Sequence, residues 1–359
     1  MTTTRWSVAA DDRTGAYEVA ALLAAAAGEG PVLVSVGTAP VGPNDVGAAA
    51  VVDLGTRAMD AAAARRIAEG FEVATGWAGH KIDSTLRGNW AVELRARRQA
   101  GARRVIVLAG WPDMGRTCVH GVVRLFDERV GDMREHLPEA SLVPHAAGLA
   151  AWWRHGGGIA VCDVPDTETM QQMAAVIAGF PAHEVLVAGP AGPLAAVFAA
   201  HRRVGPAPPP RPVVREPALV VCGSANLTSH RQIDRLRMSR PDVEVLAVPA
   251  MRPDSRGSRD SRDGTGDDDA PLLTPGPALA LAQQASARIA ERQPATVVII
   301  GGDTAAALLG DAPRRVGGMI APGMPWSLDA DGGGPLVITK AGGFGGLNAL
   351  IDLFTGETG

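Results

Sequence analysis

The chain repeatedly writes a short apolar run, then small or polar turn residues, then a stretch with helical spacing. "WSVAADD" leads to "TGAYEVAALLAAAA", and "FEVATGWAGHKIDSTLRGN" leads to "WAVELRARRQAG". "GGIAVCDV" leads to "DTETMQQMAAVIAGF", and "HEVLVAGPAG" to "PLAAVFAAHRR", while "RRVIVLAGW" runs into a Gly/Pro-rich loop. Strands alternating with helices predict an α/β fold, a mostly parallel sheet flanked by helices. Such sheets bind ligands beyond the carboxyl ends of their strands, which is where the polar motifs fall.

The alternation is interrupted by "VGPAPPPRPVVREP" (204–217), with six prolines in fourteen positions. Proline supplies neither ladder donors nor a helix interior, so this stretch predicts a stiff extended linker. The grammar then resumes with "ALVVCGSANLTSHRQIDRL", "DVEVLAVPA", "LALAQQASARIAERQ", "ATVVIIGGDTAAALLG" and "PLVITKAGGFGGLNALIDLF". Two domains are expected, 1–204 and 218–359, joined by 205–217, with the active site in the cleft between them. Within the second, residues 252–275 are charged and low in complexity, and predict a surface loop that gains too little from burial to order itself.

Composition fits a globular protein, 46% hydrophobic and 20% charged, with a net charge of −4. No basic stripe invites nucleic acid. The Ala-rich run after residue 15 is too short to span a membrane and carries Glu18. No secretory signal is evident, so a cytoplasmic protein is expected, with room for a homodimer. Cys118, Cys162 and Cys222 lie apart among apolar neighbours and read as buried reduced thiols; no zinc or other metal-ligand spacing occurs.

"AADDRTGA" (9–16) places Asp11 and Asp12 between a strand and a helix. Asp12 suits a helix N-cap, and a second carboxylate beside it is available to a substrate hydroxyl. In "HKIDSTLRGN", Lys81 and Arg87 suit an anion, Asp83 and Ser84 suit sugar hydroxyls, and Gly88 permits close backbone approach. "WPDMGRTCVHG" adds Arg116 and Thr117. These loops describe a site for a small hydroxy-acid. The later loops "CGSANLT", "GGDTAA", "APGMPW" and "KAGGFGG" are glycine-rich turns suited to phosphate. Neither a P-loop nor a dinucleotide fingerprint is present. A hydroxylated anion in one domain and a polyphosphate in the other point to phosphoryl transfer.

"ADDRTGA", "KIDSTLRGN", "GRTCVHG", "LVAGPAG", "CGSANLTSHRQ", "GGDTAAALL", "APGMPW" and "TKAGGFGG" follow one another along nearly the whole chain. In this order they resemble the motifs of the four-carbon acid sugar kinase family. The resemblance implies an N-terminal domain for acid sugars such as threonate, erythronate or 3-oxo-tetronates, and a C-terminal domain for ATP, with Mg2+. It places Asp11, Asp12, Lys81, Asp83, Ser84, Arg87 and Asn89 in the acid-sugar site, with Arg116 and Thr117 nearby. It places Ser224, Thr228, Gly302, Asp303, Thr304, Gly323, Gly342, Gly343 and Gly345 in the nucleotide site, with Gly301 and Phe344 in the same motifs and Lys340 close to the phosphates. The general base is an Asp of the first loop, with Asp303 as rival. Three features depart from the family: Arg13 where Leu is usual, Trp111 where a smaller residue is common, and a shortened segment after "GRTCVHG". All lie on the sugar side and suggest an altered acceptor. The alternatives are a two-domain NAD(P)-dependent oxidoreductase and a non-catalytic regulator built on the kinase fold.

Overall fold

The apolar runs are strands with both faces covered, as their unbroken burial requires. A computed structural model of the chain describes residues 6–27, 32–37, 49–71, 76–101, 103–202, 211–249 and 275–356. The chain forms two compact units. The first comprises Met1–Pro210 with Pro313–Gly318, and the second Arg211–Ala312 with Met319–Gly359. Residues 205–210 of the proline stretch, and residues 252–274 of the low-complexity segment, lie outside the described residues.

The first unit runs β1 (Trp6–Ala10), α1 (Arg13–Ala27), β2 (Val32–Val36), β3 (Ala49–Asp53), α2 (Ala61–Gly70), β4 (Trp77–Lys81), α3 (Trp90–Gly101) and β5 (Arg104–Leu108). There follow β6 (Arg116–Val119), β7 (Val122–Leu125), β8 (Glu128–Asp132), α4 (Met133–His136), β9 (Ser141–Val143), α5 (Ala146–His155), β10 (Ile159–Cys162), α6 (Thr167–Ala178), β11 (Val185–Gly189) and α7 (Ala191–Arg202). Its main sheet has the order β2–β3–β1–β4–β11–β5–β10–β9, all parallel. Arg314–Val316 return to this unit and pair antiparallel with β2. The motif GRTCVHG and the segment after it supply a separate antiparallel sheet, β6–β7–β8.

The strands' amino ends are closed by aromatic packing. Trp6 and Trp77, paired across β1 and β4, stack with centroids 5.0 Å apart, and Phe198 meets Trp6 edge-on. That apolar plug leaves the carboxyl ends to carry polar chemistry. The second unit contains β12 (Ala218–Cys222), α8 (Leu227–Ser239), β13 (Glu244–Ala247), α9 (Pro275–Arg292), β14 (Thr296–Ile300), α10 (Gly302–Leu309), β15 (Arg314–Ala321, beginning in the first unit), β16 (Met324–Asp329), β17 (Leu336–Lys340) and α11 (Ala349–Thr355). Its order is β13–β12–β14–β17–β16, parallel except between β17 and β16. Cys118, Cys162 and Cys222 are buried free thiols, and burial pushes Cys118 up to about 12 and Cys222 to about 11. Among the described residues, no helix is long and apolar enough to cross a membrane.

Candidate active site

Strands β3, β1 and β4 end level with one another, with Ala10 opposite both Asp53 and Lys81. The three loops leaving these ends supply one polar cluster. Its centre is Arg57, on the loop after β3. The guanidinium donates to both oxygens of Asp11 at 2.8 and 2.9 Å. It also lies 3.0 Å from Asp12 and 3.1 Å from Asp83. One planar fork thus holds three carboxylates, a geometry lysine could not reproduce.

Sequence reasoning assigned all three carboxylates to the site and missed the cation that joins them. The available signal was "LGTR" after the apolar run "AAVVD", another strand end bearing a turn and a charge. Arg57 is held strongly protonated: burial opposes its charge, but Asp12, Asp11 and Asp83 outweigh burial. Burial alone would raise Asp83, yet Arg57, the Arg87 hydrogen bond and Lys81 hold it far below the usual carboxylate range. Asp12 is likewise lowered, burial being overcome by Arg57, Lys81 and its own hydrogen bonds. For Asp11 burial wins over Arg57 and the carboxyl is raised.

Asp12 is the N-cap of α1, as the sequence predicted, accepting from the Gly15 amide at 2.9 Å and the Thr14 hydroxyl at 2.6 Å. A methyl on Gly15 would stand 2.6 Å from Asp12 Oδ1 and 3.1 Å from Lys81 Nζ, so only glycine fits under these two groups. Lys81 Nζ is 3.6 Å from Glu18, whose carboxyl burial pushes up. Arg87, half-exposed, forks onto both oxygens of Asp83 at 3.1 Å. Ser84 and Thr117 are half-buried beside these groups in sequence.

Two residues expected in the acid-sugar site also serve the frame. Asn89 spends its amide nitrogen on the Thr56 and Met59 carbonyls, both at 2.9 Å, which ties down the loop bearing Arg57. Gly88 has φ of 85°, and a side chain there would meet Asp11 Oδ2 at 3.0 Å, so this glycine makes room for a neighbouring carboxylate. Arg13 does not join the cluster: its Nε donates 2.8 Å to Asp53, and both side chains are buried. Trp111 is accommodated because residue 192 is glycine; a methyl there would lie 2.3 Å from the indole nitrogen.

Arg116 differs from the other cations of this region. It is 2% exposed; among the described residues its Nη1 donates to the Asp83 carbonyl at 3.3 Å and its Nε and Nη2 find no acceptor. Burial lowers the guanidinium to about 10, which leaves it charged at neutral pH.

In the second unit the predicted residues again gather at level strand ends, with Cys222, Ile300 and Lys340 in register across β12, β14 and β17. The loops that follow are in close contact. A methyl on Gly342 would lie 2.2 Å from Ser224 Oγ, and one on Gly223 would lie 1.9 Å from Thr304 Oγ1. Gly323 faces the Phe344 ring in the same way, and Gly301 approaches the Ser224 amide. Gly302 and Asp303 open α10, while Thr228 lies in the first turn of α8 with its amide bonded to the N-cap Asn226 at 2.8 Å.

Gly343 and Gly345 are exposed in a loop braced by two side chains of α8. Ser229 donates to the Gly342 carbonyl at 2.6 Å, and Gln232 Nε2 lies 2.9–3.1 Å from the carbonyls of Phe344, Gly345 and Gly346. Lys340 is buried, bonded to the Ala341 and Gly342 carbonyls at 3.1 Å, and lowered to about 8 by burial. Gln232 and Asn226 lie within CGSANLTSHRQ, where sequence gives no sign of their roles, because these depend on carbonyls over a hundred residues away or on a cap that only the fold reveals.

Residues 6–144 match the family described as the sugar-binding N-terminal domain. The chain is 30% identical to D-threonate kinase of Cupriavidus necator over 96% of each protein. It is 27% identical to D-threonate kinase of Salmonella typhimurium over 68% of this chain and 63% of that one. Its fold is shared with a Haemophilus influenzae protein of the DUF1537 family, at TM-score 0.69, 18% identity and coverage of 98% and 99%. A Salmonella typhimurium structure aligns at TM-score 0.72 and 18% identity over 97% and 98% of the two chains. The chain belongs to the four-carbon acid sugar kinase family.

Proposed function

We propose that this protein is an ATP-dependent kinase that phosphorylates a hydroxyl of a four-carbon sugar acid such as threonate. The first unit takes the acid and the second takes the nucleotide. The observation that carries the acid reading is the unmatched guanidinium of Arg116. Arg57 and Arg87 are spent on the protein's own carboxylates, whereas Arg116 has two nitrogens with no acceptor among the described residues. A buried polar group left unpaired costs about 1–3 kcal/mol, and a ligand carboxylate would relieve that cost. Lys81, which approaches Glu18 at 3.6 Å, is the second cation for that anion.

Both oxygens of Asp11 are occupied by Arg57, and the residue is fully buried. Asp12 is partly exposed and ionised, so it is the first-loop carboxylate suited to orient the acceptor hydroxyl and take its proton. Asp303, exposed in the first turn of α10, is the alternative. Ser224, Thr304 and the amides of the 341–346 loop would cradle the triphosphate, with Lys340 beneath it. When bound, the nucleotide supplies the phosphoryl group and Mg2+ spreads the charge of its oxygens. Among the described residues no group of three or more His, Cys, Asp or Glu is arranged to hold a metal.

The test is an ADP-release assay with ATP and magnesium over D-threonate, D-erythronate, L-threonate and threitol. Turnover with one of the acids and none with threitol is expected. Equal turnover of threitol, which has the hydroxyls without the carboxylate, would refute the assignment.

A further inference from the structure

Helix α3 carries Asn89 immediately before its first residue and Glu93 and Arg97 at the next two steps of four, so all three point to one side of the helix. Glu93 and Arg97 are buried, 0% and 5% exposed. A helix face packed on a sheet ordinarily carries apolar residues at this spacing.

Each member of the stripe grips one of the strand ends that build the acid-sugar site. Asn89 holds the Thr56 and Met59 carbonyls. Glu93 Oε2 lies 3.0 Å from His80 Nε2, off the line of an ideal hydrogen bond, and both side chains are fully buried. The Thr56 hydroxyl acts on the same carboxylate without an ideally aligned hydrogen bond. Burial would raise Glu93, but His80 and Thr56 together hold it below its ordinary value. Arg97 Nη1 donates to the Gly79 carbonyl at 2.6 Å and meets His80 Nδ1 at 3.2 Å, with its guanidinium over the Phe71 ring. Because a guanidinium only donates, His80 Nδ1 is the acceptor, which leaves the ring proton on Nε2, facing Glu93.

Thr56 directly precedes Arg57, and His80 directly precedes Lys81. The stripe therefore clamps the loop after β3 and the end of β4 from behind. We infer that Glu93, His80 and Arg97, together with Asn89, are positioning residues that act through Thr56 to set Arg57 against Asp11, Asp12 and Asp83. Well-packed apolar residues would serve stability as well as buried ions do. What an apolar stripe could not do is fix the register of two separate strand ends by directed bonds. This inference rests on the acid-sugar reading of the Arg57 cluster only for its kinetic consequence.

The experiment has two arms. In the first, Glu93→Gln and Arg57→Lys are compared singly and together, by kcat and KM for D-threonate and for ATP. Glu93→Gln is expected to reduce kcat/KM for the acid by about 10- to 100-fold, the scale of a displaced active-site group. KM for ATP should stay within about twofold, and adding Glu93→Gln to Arg57→Lys should cost little more, because both act through one group. Losses that multiply would overturn the inference. The second arm needs no substrate: the Arg57 Nε–H resonance, assigned by its absence in Arg57→Lys, is followed by 15N NMR. Wild type should show slow solvent exchange, and Glu93→Gln fast exchange with circular dichroism unchanged. An Arg57 resonance untouched by Glu93→Gln would overturn the inference whatever the acceptor proves to be. Wild-type inactivity on every acid would instead count against the proposed function alone. His80→Gln is carried in parallel as the substitute should Glu93→Gln not fold, with the same outcomes deciding.

Discussion

Replacing Arg57 with Met keeps most of the side chain's volume and removes the one charge shared by three carboxylates. The side chain is 19% exposed and its contacts lie between 2.8 and 3.1 Å. Leaving a buried ion unpaired costs about 3–5 kcal/mol, and partial exposure places this case near the lower end, about 3 kcal/mol at pH 7.5. The pH dependence is the sharper signature. In the wild type, Asp12 and Asp83 have folded values below their unfolded ones. Their contribution is present above the ordinary carboxylate range and is lost as pH falls through the folded values. Without Arg57 the same groups are buried beside one another and shift upward. They then favour folding only at low pH, and lose that contribution as pH rises. The destabilisation should therefore be largest above about pH 6, begin to shrink as the variant's carboxylates protonate, and approach zero only well below about pH 4, where Asp12 and Asp83 protonate in the wild type too. Urea unfolding followed by tryptophan fluorescence suits the question, since six of the seven Trp residues belong to the first unit. A loss under about 1 kcal/mol at pH 7.5, or one that does not change with pH, would refute the reasoning.

Arg13→Leu restores the residue usual in the family but strands Asp53 in a buried site, so it should destabilise by about 3 kcal/mol, whereas Arg13→Leu with Asp53→Leu should recover most of that in the same unfolding assay. Gly342→Ala drives a methyl against Ser224 Oγ and should abolish nucleotide binding by calorimetry while leaving the affinity for D-threonate within about twofold. Lys340, lowered to about 8 by burial, should regain its ordinary basicity under a triphosphate. ATP binding between about pH 8 and pH 9 should then take up a proton, seen by calorimetry in buffers of different ionisation enthalpy, and Lys340→Met should remove that uptake.

Much of the architecture was legible because apolar runs of five bounded by Gly and Asp permit few alternatives. β1, β5, β10, β11, β12, β14 and β17 all coincide with runs that the apolar pattern marks out. The antiparallel sheet β6–β7–β8 was not, since its residues alternate weakly and include Arg124, Asp127 and Glu128. Nor was the return of 313–318 to the first unit, which depends on a strand partner nearly three hundred residues earlier. At the site, the charged residues announced themselves by density within one loop. Arg57 stands alone in its segment, and its importance arises only when three strand ends meet. Arg13 misled for the same reason: adjacency in sequence to Asp12 says nothing of the direction taken on the first turn of a helix, and that direction is towards Asp53.

The antiparallel pairing of Arg314–Val316 with β2 bears on any attempt to cut the protein at its proline run. A fragment ending near residue 210 would contain the entire Arg57 cluster and yet leave one side of β2 without hydrogen-bond partners. Bare strand edges recruit other strands, so such a fragment invites self-association. A shortened version intended to bind acid sugar by itself would need the 313–318 peptide grafted back, or a charged or proline-bearing substitute along that margin.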